Sequence, residues 1–160
     1  MSDTPAEWDD EATPSSTPSG AAPATAPELY YGSVDEFVRE KLRYTYIRKV
    51  GPSAPYRWAG DWWRYPEAMG RLDALWRAWE ALRLEGQVGM SSWWRDHADH
   101  HMRMLMAPDG PFTNSRDTNE TAAAWTKAPG GTADERPLIG PLPYTAPPVG
   151  MFIDVRTRRS

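Results

Sequence analysis

Cysteine is absent from this 160-residue chain. That excludes disulfides, a thiolate nucleophile and any Cys-ligated zinc or iron–sulfur centre, and it fits a reducing, cytoplasmic location. Histidine is scarce, with only three residues, all between His97 and His101. No apolar run approaches the roughly 20 residues a membrane helix needs, so membrane insertion is not expected. The start, Met1-Ser2-Asp3-Thr4-Pro5-Ala6-Glu7, lacks the basic and apolar regions of a secretory signal. Lysine and arginine are missing from the first 31 residues, which carry six acids; taking these from the net charge of −4 leaves +2 on the rest. Neither part has the basic footprint of a duplex nucleic-acid binder. There is also no G-x-S-x-G elbow, P-loop or G-x-G-x-x-G turn. No catalytic residue is nominated, no cofactor is expected, and binding is favoured over catalysis.

Tryptophan and proline are abundant, at nine and sixteen residues. Seven of the nine tryptophans fall between Trp58 and Trp94, whereas the prolines concentrate towards the two ends. Residues 1–28 read as a disordered, acidic, Pro-rich tail, with Trp8 their only large apolar side chain and too little surface to offset ordering entropy. Residues 29–112 read as a small all-α domain of three helices with a Trp-rich core. The first opens at a capping box, Ser33 with Glu36 three residues on, and should end before Gly51-Pro52. The second starts at Pro66, carries Ala68, Leu72, Leu75, Trp76, Trp79 and Leu82 at helical spacing, and is expected to end with Gly86 in the C′ role. The third opens at Ser91 or Ser92 and runs to Pro108. Its inner face is expected to hold Trp94, Ala98, His101, Met102 and Leu105, with Arg95, Asp99 and Arg103 as an i,i+4 charge ladder outside. Residues 113–160 read as a Pro-rich, mostly irregular segment suited to polyproline II, with a brief helix around 120–125 and a short extended stretch at Met151–Arg156.

Two Trp-Trp-Arg sequences stand at the mouths of helices, Trp62-Trp63-Arg64 and Trp93-Trp94-Arg95. Their rings either build the core of a small domain or form a platform for a proline-rich peptide or single-stranded nucleic acid. Adjacent helical residues cannot both face inward, so one ring of each pair should stay partly exposed unless the Pro-rich segment or a second copy of the chain covers it. His97 and His101 have the i,i+4 spacing of helical zinc sites. Asp96 and Asp99 project from a different side, so a third ligand would have to come from elsewhere, with Asp61, Glu67, Asp73 and Glu80 as candidates. The alternative is two histidines bonded to neighbouring groups. Asn119-Glu120-Thr121 matches a glycosylation sequon, without consequence in a chain that is not secreted.

The runs Tyr31-Gly32-Ser33-Val34-Asp35-Glu36-Phe37-Val38, Trp62-Trp63-Arg64-Tyr65-Pro66-Glu67-Ala68, Leu75-Trp76-Arg77-Ala78-Trp79-Glu80 and Trp93-Trp94-Arg95-Asp96-His97-Ala98-Asp99-His100-His101-Met102 resemble, in order, the actinobacterial domain of unknown function 4913 family. The resemblance covers about 31–112. Family members often carry proline where this chain has His100, which leaves His97 and His101 as the pair matching the family. The resemblance implies an actinobacterial host with plasmids, integrative conjugative elements or phage-like islands nearby, and no established activity. The expectation is a non-enzymatic interaction or accessory module of a mobile element, with a role such as conjugation, binding a protein partner through Trp62, Trp63, Arg64, Trp93, Trp94 and Arg95. Single-stranded nucleic-acid binding by Trp stacking and a His97–His101 metal site are the alternatives.

Overall fold

The computed structural model describes residues 27–121 and 138–157. Most of the segment read as a tail, 1–26, and most of the helix expected at 120–125 lie outside the described residues. The domain is helical, as expected, with three helices. The first, α1, is a continuous run over 34–45 in which a wide π-turn, Val38–Leu42, interrupts the α-helical turns. Ser33 caps it, its hydroxyl accepting from the Glu36 amide at 3.2 Å, and the Glu36 carboxylate reaches back to the Gly32 amide at 2.7 Å. Two of the otherwise unpaired N–H groups at the helix entrance are thus satisfied. The helix stops at Thr45, earlier than expected, and an extended stretch leads to the bridge between Val50 and Tyr56.

A tight 3₁₀ turn, Trp62–Arg64, precedes α2, Pro66–Leu82, which has proline at its first position, where the missing N–H leaves no bond unmade. Ala68, Leu72, Leu75, Trp76 and Trp79 are buried as their spacing requires, and Glu80 is buried beside them. Its carboxylate accepts from the Tyr30 and Tyr31 amides and from Arg83, at 3.0, 2.8 and 2.8 Å. Three donors hold the charge that burial would otherwise disfavour, and they dock the incoming chain onto α2. Gly86 does not terminate this helix, which ends four residues earlier; nor does Gly86 adopt positive φ.

The third helix, α3, spans 89–106 and begins at Gly89, ahead of the two serines. A Cβ on Gly89 would sit 2.0 Å from the Leu82 carbonyl, so the missing side chain lets the end of α2 and the start of α3 touch. Within α3, Trp93–Ala98 forms a second π-turn.

The core joins all three helices through Phe37, Leu42, Trp58, Trp62, Leu72, Leu75, Trp93, Met102, Leu105 and Phe112, and Leu142 of the C-terminal segment is buried among them. Around this segment, Glu120–Thr121 (β1) and Leu138–Ile139 (β2) form a minimal antiparallel pair. Asn119 lies buried at its base, donating to the Arg48 and Gly140 carbonyls, both at 2.8 Å, and accepting from the Val50 amide at 3.0 Å. The stretch 151–156 is not a strand. It makes a series of turns in which Phe152 packs against Trp62, with ring centres 5.3 Å apart, and Val155 donates one backbone bond to Gly32.

Candidate interaction surface

At each Trp-Trp-Arg sequence the first ring is wholly buried and the second keeps part of its surface. Trp62 and Trp93 are in the core; Trp63 is half-buried, and Trp94 is 38% exposed. On α3 this reverses the expected assignment, which put Trp94 inward with Ala98. A residue four positions before Ala98 would face inward in an α-helix, but the π-turn adds one residue to the turn. The fifth residue back, Trp93, therefore takes the inner place. Its indole N–H donates to the Leu75 carbonyl of α2 at 3.1 Å, and its ring meets Phe37 edge-on at 6.5 Å.

The same wide turn undoes the charge ladder. Arg95 grips its neighbour Asp96 through two hydrogen bonds of 2.7 and 2.8 Å, and Asp99 instead accepts from the Tyr46 hydroxyl at 2.8 Å. Burial, with the Asp99 carboxylate beside it, pushes the Tyr46 phenol up to about 12. Tyr46 packs on Trp94 with ring centres 5.8 Å apart, and the Arg48 guanidinium lies over the Tyr46 ring at 5.2 Å. Beside these rings runs a cleft of about 280 Å³ whose walls include Tyr46, Arg48, Tyr56, Asp99, Arg103 and Met106. Tyr44, Ile47, Tyr56 and Met104 are also exposed. Sequence reasoning missed Tyr46, Arg48, Tyr56 and Met106, because no periodic pattern connects the end of α1 and the loop after it to α3.

The other doublet is dressed by the chain itself. The Trp58 and Trp63 indoles donate to the Pro143 and Thr145 carbonyls at 2.9 and 3.1 Å, and the Thr145 amide donates to the Gly60 carbonyl. The segment passes so close to Gly60 that a Cβ there would lie 3.1 Å from the Thr145 hydroxyl. Arg64 holds its guanidinium 5.8 Å from the Trp63 ring and pairs with Asp61 at 3.6 Å.

His97 and His101 are both half-buried on α3. Burial holds His101 below its ordinary pKa, with His100, Arg71 and His97 adding in the same direction, and its Nδ1 is buried without a hydrogen-bond partner. The four carboxylates named as third ligands have other partners: Asp61 pairs with Arg64, Glu67 with Arg71, Asp73 with Arg77, and Glu80 with Arg83 and two amides. Among the described residues, no three His, Asp or Glu side chains gather where they could hold a metal ion. Nor, among them, is any helix long and apolar enough to cross a membrane.

Comparison with known proteins gives a match to one family model, described as Domain of unknown function (DUF4913), over residues 31–134. No curated protein and no solved structure matches the chain.

Proposed function

We propose that the chain, which belongs to the DUF4913 family, is a non-enzymatic interaction module whose protein partner docks on the face of Trp94. The observation that carries this reading is the contrast between the two outward rings. Trp63 is hydrogen-bonded to the chain's own C-terminal segment, whereas Trp94 remains 38% exposed beside Tyr46, Arg48 and an aromatic-walled cleft. A tryptophan flanked by tyrosine and arginine has the composition of the few residues that dominate binding at protein interfaces, and a cluster of exposed aromatic and apolar side chains marks an interaction site more often than chance. The arginines favour a partner surface that is acidic at its edge and apolar at its centre. The module is read as an accessory component of an actinobacterial mobile element acting in the cytoplasm; the family resemblance and the absence of cysteine support that setting.

The test is capture from the native host with wild-type and Trp94→Ala protein, followed by reconstitution with the purified partner. Wild type should retain a protein that the variant loses, with binding at least about tenfold weaker for the variant, as hot-spot truncation gives. Identical retention by both would overturn the reading. The arginines beside Tyr46 also suit stacked bases, so salt-sensitive binding to single-stranded oligonucleotides, lost in Trp94→Ala, would replace the protein partner with a nucleic acid. Reversible dimerisation lost in the same variant would replace it with a second copy of the chain.

A further inference from the structure

Along α2 a cleft of about 400 Å³ opens between the helix and the two ends of the described chain, with Pro27, Leu29, Trp76, Ala81, Leu84 and Val155 in its walls. Its lining is largely apolar, yet Leu84 is 51% and Val155 37% exposed. Arg77 and Arg83 stand at the cleft. Glu80 also lines it, but its carboxylate is held by the Tyr30 and Tyr31 amides and by Arg83. Several walls, Pro27, Glu28, Leu29 and Val155, lie outside the family match over 31–134, so the cleft is a product of this chain's own flanks.

We infer that the cleft receives Trp8 from the chain's N-terminal segment. Pro27, where the described chain begins, is itself part of the wall. The 26 residues before it contain one aromatic side chain, Trp8, followed directly by Asp9, Asp10 and Glu11, and no lysine or arginine. The indole supplies the apolar body for the Trp76–Leu84–Val155 surface, while Arg77 and Arg83 at its edge keep their pairs with Asp73 and Glu80. Eighteen residues lie between Trp8 and Pro27. A coil of that length spans on the order of 25 Å, so the tether returns Trp8 to the cleft within ordinary coil dimensions and at an effective concentration in the millimolar range. A single aromatic anchor is enough for such an intramolecular contact.

Fluorine NMR of the full chain labelled with fluorotryptophan tests this, with the Trp8 resonance assigned by Trp8→Phe. Trp8 should resonate away from the position of free fluorotryptophan. Leu84→Glu, at an exposed rim position, should return it there while the resonances of the buried Trp58, Trp62 and Trp93 stay in place, showing that the fold is kept. A Trp8 resonance at the free position in the wild type would overturn the proposal. A shifted resonance that ignores Leu84→Glu would also overturn it by placing Trp8 elsewhere. A shift that disappears on dilution would assign the contact to a second copy, which is equally fatal to the intramolecular form.

Discussion

The two Trp-Trp-Arg sequences share three letters and a position at a helix entrance, but they are built on opposite departures from the α-helix. Trp62–Arg64 lies in a tight 3₁₀ turn, and Trp93 opens a wide π-turn. In both, the first ring goes inward and the second outward, so local backbone geometry settles which tryptophan joins the core. What becomes of the outward ring depends on the rest of the chain. The segment carrying Pro143 and Thr145 supplies acceptors to Trp58 and Trp63 and inserts Leu142 into the core. On the described residues around Trp94, the neighbours are Trp93, Tyr46 and open surface. Exposure of an aromatic ring is thus a property of distant sequence as much as of its own helix.

Removal of residues 141–160 should collapse the contrast most severely. It deletes Leu142 and Phe152 and strips two indoles of their acceptors, at a cost of at least about 5 kcal/mol, much of the stability of a domain this size. Urea denaturation and a red shift of tryptophan emission would report it; an unchanged midpoint would mean the first doublet needs no cover. Next, Trp93→Ala should cost about 3–5 kcal/mol and Trp94→Ala less than about 1 kcal/mol, although the two rings are adjacent. Equal costs in the same denaturation experiment would show that both rings belong to the core.

The role of the π-turn can be broken by deletion. Loss of Arg95 brings Trp93 to four residues before Ala98, the α-helical spacing, and should leave Trp93 buried at a cost within about 1.5 kcal/mol. Loss of His100, in the α-helical part, would rotate Met102, Leu105 and Met106 out of register and should cost several times more. Thermal unfolding of the two deletions decides it, and a reversed order would remove the π-turn as the cause.

Smaller effects test the rim of the Trp94 face and the helix beside it. Tyr46→Phe should lose about 0.5–1.5 kcal/mol with its bond to Asp99. In an absorbance titration, the phenol missing from the variant should be the one that ionises near pH 12 in the wild type. For His101, whose folded pKa is lowered by burial, the unfolded chain binds the extra proton first as pH falls. Its contribution to stability is therefore present above the ordinary value of 6.5 and lost as pH falls through the lowered folded value. His101→Gln should flatten the fall in urea midpoint over that range.

Much of the helical framework could be read from spacing, because α2 is an uninterrupted helix whose apolar residues obey one period. The capping box was legible for the same reason: Ser33 and Glu36 act over a single turn. The error at Trp94 arose where the period itself changed, since a wheel drawn at 3.6 residues per turn carries no mark for an inserted residue. Gly86 was misassigned because a glycine after an apolar stripe suggests a C′ position whether or not the backbone turns left-handed there. The cleft beside Trp94 was out of reach for another reason: Tyr46, Arg48 and Met106 meet only after α1 and α3 have packed, and the hydroxyl that Tyr46 brings to Asp99 crosses 53 residues of sequence.

Asn119 shows a practical consequence of the same long-range closure. Its side-chain amide already serves three backbone groups from two separate stretches of chain, and the residue is buried, while Asn119-Glu120-Thr121 still reads as a glycan acceptor. A eukaryotic secretory host that attached sugar there before folding would take one of the two N–H groups that Asn119 donates to Arg48 and Gly140 and force a bulky polar group into a site closed to water. Protein made by that route should emerge misfolded or depend on an Asn119-sparing change such as Thr121→Ala, whereas a host without that modification would not meet the problem.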